Sequence, residues 1–195
     1  MKKKLLSLLF AAIFALSLTS CNGDDVETTK EDVTESVTDD ATEHTYYEGE
    51  GEVISEAAPD FTVYDKASNA VKLSDMKGMP VVLNFWASWC PPCKSEMPDF
   101  NEIAKEYEGK VTFMMVNLTD GQSETQESAQ SFIDSMGYTF PVYFDLNSEA
   151  AYVYGIQSIP TTFFIDANGN LIAYASGAID GDTLKRGISM IYSEN

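Results

Sequence analysis

The chain has 195 residues, 44% of them apolar, which suffices for one core-forming domain with appendages. Twelve basic residues face 31 acidic ones, and the resulting net charge of −19 repels phosphate backbones, so nucleic-acid binding is excluded as the main role. Three cysteines suit neither a disulfide scaffold nor a four-ligand zinc site, and read as one active pair plus one modification site.

Residues 1–20 read as a targeting segment. Lys2-Lys3-Lys4 precedes an apolar run from Leu5 to Leu18 that is too short to span a bilayer comfortably. The segment closes on Leu18-Thr19-Ser20-Cys21, which resembles a bacterial lipobox; that resemblance implies cleavage before Cys21 and lipidation of its sulfur. An ordinary secretory signal, with Cys21 incidental, is the alternative, and both place the remainder outside the cytoplasm. Residues 21–56 hold thirteen acids against Lys30 alone, and Val26, Val33 and Val37 cannot supply a core. This stretch reads as a disordered acidic tether. A flexible chain of that length averages roughly 30–35 Å end to end, and self-repulsion lengthens it. His44, the only histidine, falls here as a linker residue.

The folded domain is expected over 57–195. Phe61–Tyr64 and Ala70–Leu73 alternate well enough to pair as a hairpin, with a short helical turn at Ser74–Met76. Val81–Trp86, a run rich in β-branched and aromatic residues, reads as a buried strand. A helix follows from Pro91 to about Glu108, with Phe100, Ile103, Ala104 and Tyr107 inward and a kink at Pro98. Val111–Leu118 is a second buried strand whose Met114 and Met115 suit core packing better than a copper site. Gln122–Met136 reads as a helix with Ala129, Phe132, Ile133 and Met136 inward. Val142–Phe144 is a short strand and Ser148–Tyr154 a short helix. Thr161–Ile165 and Leu171–Ala175 make a final hairpin across a type I′-like Asn168-Gly169 turn. Gly181–Tyr192 closes the chain as a helix, striped by Leu184, Ile188 and Ile191. Alternating strands and helices with a terminal hairpin give an α/β layered sheet.

The chemistry sits between the core strand and its helix, in Trp89-Cys90-Pro91-Pro92-Cys93-Lys94. Cys90 would face the unpaired N–H groups and positive dipole end of the helix, which favour thiolate over thiol. Cys93, one turn on, is placed to resolve a mixed disulfide formed at Cys90. A zinc half-site is the competing reading, but a second ligand pair is missing.

With its apolar strand before and Pro98 after, this stretch resembles the active site of the thioredoxin superfamily. Glu96-Met97-Pro98 is similar to the TlpA/ResA-like branch of extracytoplasmic thiol-disulfide oxidoreductases, which also carries a helix–strand insert where residues 119–145 lie. The resemblance covers about two-thirds of the chain. It implies a thioredoxin-like fold, a central mixed β-sheet flanked by helices, with an N-terminal β-hairpin and the central insert. Ile159-Pro160-Thr161 resembles the cis-proline loop that receives substrate peptide in this superfamily, so Ile159 and Pro160 join Trp89, Pro91 and Pro92 as candidate substrate-binding residues. Thioredoxins place a buried Asp where this chain has Asn84, which cannot titrate. In the TlpA/ResA-like branch a Glu three residues after the second Cys sits near the site, and Glu96 matches it; its like charge is expected to raise the cysteine pKa values and its carboxyl to shuttle a proton, with a solvated helix carboxylate as the alternative. Trp86 and Trp89 are expected to pack around and shield the pair.

Pro91 and Pro92 lack N–H groups, so two donors that could stabilise a Cys90 thiolate are missing, which points to a reducing potential. The reading that follows is a monomeric, lipid-anchored reductase of disulfides in extracytoplasmic proteins, needing no cofactor beyond the Cys90–Cys93 pair and no metal. The resemblance implies a CcdA/DsbD-type membrane thiol transporter as electron donor and includes apocytochrome c among substrates. Two rivals stay in view: a peroxiredoxin-like thiol peroxidase, disfavoured by Ala87 three residues before Cys90 and by a lone Arg186 far along the chain, and a non-enzymatic metal- or partner-binding lipoprotein.

Overall fold

The computed structural model describes residues 56–194 and builds them around one eight-stranded mixed sheet. The signal segment, Cys21, the acidic stretch and His44 lie outside the described residues. In chain order the elements are β1 (Glu56–Ala57), β2 (Thr62–Tyr64), β3 (Ala70–Lys72), a 3₁₀ turn (Leu73–Met76), β4 (Val81–Trp86), α1 (Pro91–Glu106) and β5 (Thr112–Asn117). There follow α2 (Gln126–Met136), β6 (Val142–Phe144), α3 (Glu149–Val153), β7 (Thr161–Ile165), β8 (Asn170–Ser176) and α4 (Gly181–Ile191). The strand order is β1-β8-β7-β4-β5-β6-β2-β3. Strands β4, β5 and β6 run parallel, while β7 and β8 continue the sheet antiparallel on one side and the β2–β3 hairpin does so on the other. This is the thioredoxin-like mixed α/β layer that the resemblance implied.

The two-residue period of the strands divides the core. Val82 and Trp86 of β4, with Phe113 and Met115 of β5, face α1, α2 and α4, where Met97, Phe100, Ile133, Leu184 and Ile188 meet them. Leu83, Phe85, Met114 and Val116 point the other way, against Phe61, Val63, Phe163 and Ala150. Every residue of β4 is buried, which is why the run, Asn84 apart, reads as apolar throughout rather than alternating. The sheet thereby fixes the C-terminal end of β4, where the cysteines follow.

Several local expectations change. The Asn168-Gly169 turn is not type I′, because only Gly169 takes positive φ (+88°). Gly169 N–H donates to the Asp166 carbonyl, and the Asp166 carboxylate accepts from the N–H groups of Asn168 and Asn170. The Asp side chain thus builds a longer turn with one left-handed glycine. Helix α2 starts at Gln126 rather than 122, since Asp120 folds the preceding residues into a loop and Thr125 with Ser128 forms a capping box. Met136 is 52% exposed rather than inward, at the last turn before the left-handed Gly137 cap. Strand β1, pairing Glu56 and Ala57 with Leu171 and Asn170, had no signal of its own.

Helix α4 reaches the sheet through Gly187. A Cβ there would lie 2.1 Å from Phe164 Cζ, on a buried ring of β7 that cannot withdraw. Gly187→Ala is therefore expected to lower unfolding stability by roughly 1–3 kcal/mol in a urea titration, despite alanine's better helix propensity.

Candidate active site

β4 ends at Trp86 and the chain turns over Ala87-Ser88-Trp89 into α1. Cys90 takes extended backbone angles as the N-cap residue, and Pro91 and Pro92 fill the first two helical positions, where a missing N–H costs nothing. Cys90 and Cys93 are joined by a disulfide, their Cα atoms 5.3 Å apart. With both prolines silent, one helix donor reaches the first sulfur: Cys93 N–H donates to Cys90 Sγ at 3.2 Å. Across from it, the Ile159 carbonyl oxygen stands 3.7 Å from Cys90 Sγ, and the Ile159–Pro160 peptide is cis.

Both sulfurs are recessed. Cys90 is 2% exposed and Cys93 fully buried, whereas Trp89 is 55% exposed and Pro91 and Pro92 lie open to solvent. The two tryptophans therefore differ from the common shielding role expected of them. Trp86 is wholly buried and packs on Phe132 with ring centroids 6.1 Å apart, while Trp89 offers its indole outward beside the prolines.

Beneath the pair lies a buried polar network. Glu96, one turn after Cys93, is 3% exposed and so is no solvated helix carboxylate. Asn84 Nδ2 donates to its Oε1 at 2.9 Å and Ile179 N–H to its Oε2 at 3.0 Å. Asn84 Nδ2 also donates to Thr162 Oγ1 at 2.9 Å, which ties β4, β7 and α1 together at one point. Burial lifts the Glu96 carboxyl from an ordinary 4.5 to about 7, against the opposing pull of the bonds from Ile179 and Asn84. Asn84 Oδ1 is buried with no partner.

A second buried carboxylate, Glu124, holds the turn before the nucleophile. It accepts from Ser88 N–H at 2.5 Å, from Ser88 Oγ at 3.1 Å and from Ser128 Oγ at 2.5 Å, and is 1% exposed. The insert is thereby clamped to the segment that delivers Trp89 and Cys90. Nothing in the sequence flagged Glu124. An acid inside a polar loop gives no sign of burial, and the one faint hint was its place just before the Thr125/Ser128 capping box.

Sulfurs held at disulfide distance, one served by a helix N–H and bordered by the Ile159 carbonyl before cis-Pro160, can in their reduced form pass two electrons to an incoming cystine through a mixed disulfide.

The AhpC/TSA family model matches residues 54–174. The thiol-disulfide oxidoreductase ResA of Oceanobacillus iheyensis is 39% identical over 136 residues, covering 68% of this chain and 69% of its own length. ResA of Geobacillus thermodenitrificans is 33% identical, over 71% of this chain and 78% of its own. Among solved structures, StoA of Bacillus subtilis aligns with a TM-score of 0.59 at 30% identity, covering 68% of this chain and 98% of StoA. The exposed lipoprotein thioredoxin Etrx1 of Streptococcus pneumoniae gives 0.60 at 31%, covering 67% and 98%. Sequence, fold and the cystine at the head of α1 agree, and the chain belongs to the AhpC/TSA family as a ResA-like thiol-disulfide oxidoreductase.

Proposed function

We propose that this oxidoreductase works as a reductant of disulfides in extracytoplasmic proteins, held at the membrane by a lipid on Cys21 and recharged by a membrane thiol transporter of the CcdA/DsbD type. The observation that carries the direction of electron flow is the Cys90 N-cap, where one N–H serves the sulfur and two prolines serve none. A thiolate so sparsely stabilised makes the dithiol the higher-energy partner and the disulfide the favoured product. The names of the relatives support the extracytoplasmic setting, Etrx1 being an exposed lipoprotein. Apocytochrome c is one substrate consistent with the reading.

The cycle balances as follows. Cys90 thiolate attacks one sulfur of the substrate disulfide, forming a mixed disulfide and expelling the other sulfur as a thiolate. Cys93 then gives up its proton, attacks Cys90 Sγ and releases the second substrate thiolate; substrate gains two electrons and the Cys90–Cys93 bond forms. Glu96 is the proposed acceptor of the Cys93 proton, since its carboxyl titrates near 7. Asn84 suits both of its states. To the carboxylate it presents Nδ2, as seen; turned over, its unpartnered Oδ1 accepts from a protonated Glu96 and from the Thr162 hydroxyl. A non-titrating Asn84 thus leaves Glu96 as the group that carries the proton. Trp89, Pro91 and Pro92 form the apolar rim on which substrate rests, while Ile159 beside cis-Pro160 pairs with its backbone.

Insulin reduction should vanish in Cys90→Ser, and Cys93→Ser should accumulate mixed disulfides with extracytoplasmic proteins. The potential of the wild-type pair should lie below that of glutathione; a value near the roughly −120 mV of strong oxidants would reverse the proposed direction. Insulin reduction lost in Cys90→Ser separates an enzyme from a binding lipoprotein, and peroxide consumption tests the peroxidase alternative.

The buried carboxyl also sets a pH dependence of folding. Between 4.5 and about 7 the native disulfide form binds a proton at Glu96 that the unfolded chain has released. The contribution is complete below the lower value and is lost as pH rises through the upper one, a change on the order of 3 kcal/mol. Urea unfolding of Glu96→Gln should lack this decline, leaving the variant at least as stable as wild type at pH 8.

A further inference from the structure

Between β8 and α4 the chain passes the active site through Gly177, which takes a left-handed φ of +88°, then Ala178, Ile179 and Asp180, to Gly181, the first residue of α4. The alternate N–H groups of this run all find partners around the reacting sulfurs. Gly177 N–H donates to the carbonyl of cis-Pro160 at 2.8 Å. Ile179 N–H donates to Glu96 Oε2 at 3.0 Å, and Gly181 N–H to Asp99 Oδ2 at 2.8 Å. The run ends at Asp180, whose carboxylate caps α4 by accepting from Thr183 N–H, and Leu184 and Ile188 bury that helix. Its far end is therefore fixed, and its near end is hydrogen-bonded to the cis-Pro160 loop.

We propose that residues 177–181 form a strap that sets Glu96 and the cis-Pro160 loop relative to each other, with Asp99 as the positioning residue that holds the strap against α1. Glu96 and Asp99 are three residues apart on α1 and so share one face, which the N–H groups of Ile179 and Gly181 both reach from either side of the extended Asp180. Anchoring Gly181 therefore constrains where the Ile179 N–H points. The approach is close: a Cβ on Gly181 would stand 3.3 Å from Asp99 Oδ2 and 3.4 Å from Ile103 Cδ1, so a side chain there would push the Asp99 carboxylate aside by a few tenths of an ångström. Glu96 accepts from Asn84 of β4, which also reaches Thr162 of β7, and from the Ile179 N–H of the strap; along α1 its neighbours at helical spacing are Cys93 and Asp99, and Asp180 follows Ile179 in the strap. Among the described residues no cationic side chain hydrogen-bonds to Glu96. The Ile179 N–H is thus one of two donors favouring its ionised form, and loosening the strap makes Glu96 harder to ionise.

The inference rests on Glu96 as the proton acceptor, and the test separates the two. Asp99→Ala, Asp99→Asn, Gly181→Ala and Glu96→Gln in the full chain are compared by amide exchange and by the pH profile of insulin reduction. Asp99→Ala should speed exchange at Gly177 and Ile179 by about tenfold or more, raise the KM for insulin, and move the inflection near neutrality upward by about half a unit. Asp99→Asn keeps an acceptor oxygen and should behave as wild type, while Gly181→Ala should follow Asp99→Ala more weakly and stands in for it should that variant fail to fold. Unchanged exchange at Gly177 and Ile179 in Asp99→Ala overturns the strap, as does a fall in melting temperature with exchange, inflection and KM all unmoved. An inflection that persists in Glu96→Gln overturns the Glu96 reading instead; exchange and KM then decide the strap alone.

Discussion

A cysteine at the head of a helix, left with one N–H to serve it, is the constraint on which the site depends. An N-cap residue ordinarily meets several unpaired helix donors, and those donors are what stabilise a thiolate. Pro91 and Pro92 remove two of them while still suiting the first helical turn, so the helix forms and its anion-stabilising power is curtailed. The fold supplies position, and the prolines thin the donors around the sulfur without disturbing the helix that carries it.

The second constraint is the carboxylate below. Burying Glu96 is costly, and the cost is only partly offset by Asn84 and Ile179, so the carboxyl sits near 7. A fully satisfied acid would ionise at ordinary acidity and hold no proton at neutral pH; an unsatisfied one would never release it. Burial thus outweighs the two hydrogen bonds, while Asn84 Oδ1 beside them is left without a partner.

Much of this was legible in the chain. The buried strand, the cysteine helix, the late hairpin and the stripe Leu184, Ile188 and Ile191 follow from period and punctuation, which report burial directly. Glu96 could be singled out by spacing, but its burial could not, because that depends on Asn84 and Ile179, which lie 12 residues before it and 83 after it. Glu124 and Asp99 were invisible for the same reason: each acts on a backbone N–H, and a backbone donor has no letter. The Asn168-Gly169 turn failed differently, because Asp166 captured the N–H groups of the turn and left Asn168 out of the left-handed region.

Membership in the AhpC/TSA family leaves open, at the level of fold alone, whether such a cysteine meets peroxide or a disulfide. The residues decide it. A peroxidatic thiolate benefits from a nearby cation, and the chain's single arginine, Arg186, lies exposed on α4 and donates to Thr183 on its own helix. Cys90 instead faces the Ile159 carbonyl that precedes cis-Pro160, with its partner cysteine bonded one turn away and an apolar rim of Trp89, Pro91 and Pro92 outside. A peroxide molecule needs no such rim, whereas a peptide bearing a cystine does. With Cys90 only 2% exposed and its partner bonded one turn away, the recess accords with the thiol-disulfide exchange of the ResA-like relatives rather than with a peroxidatic site.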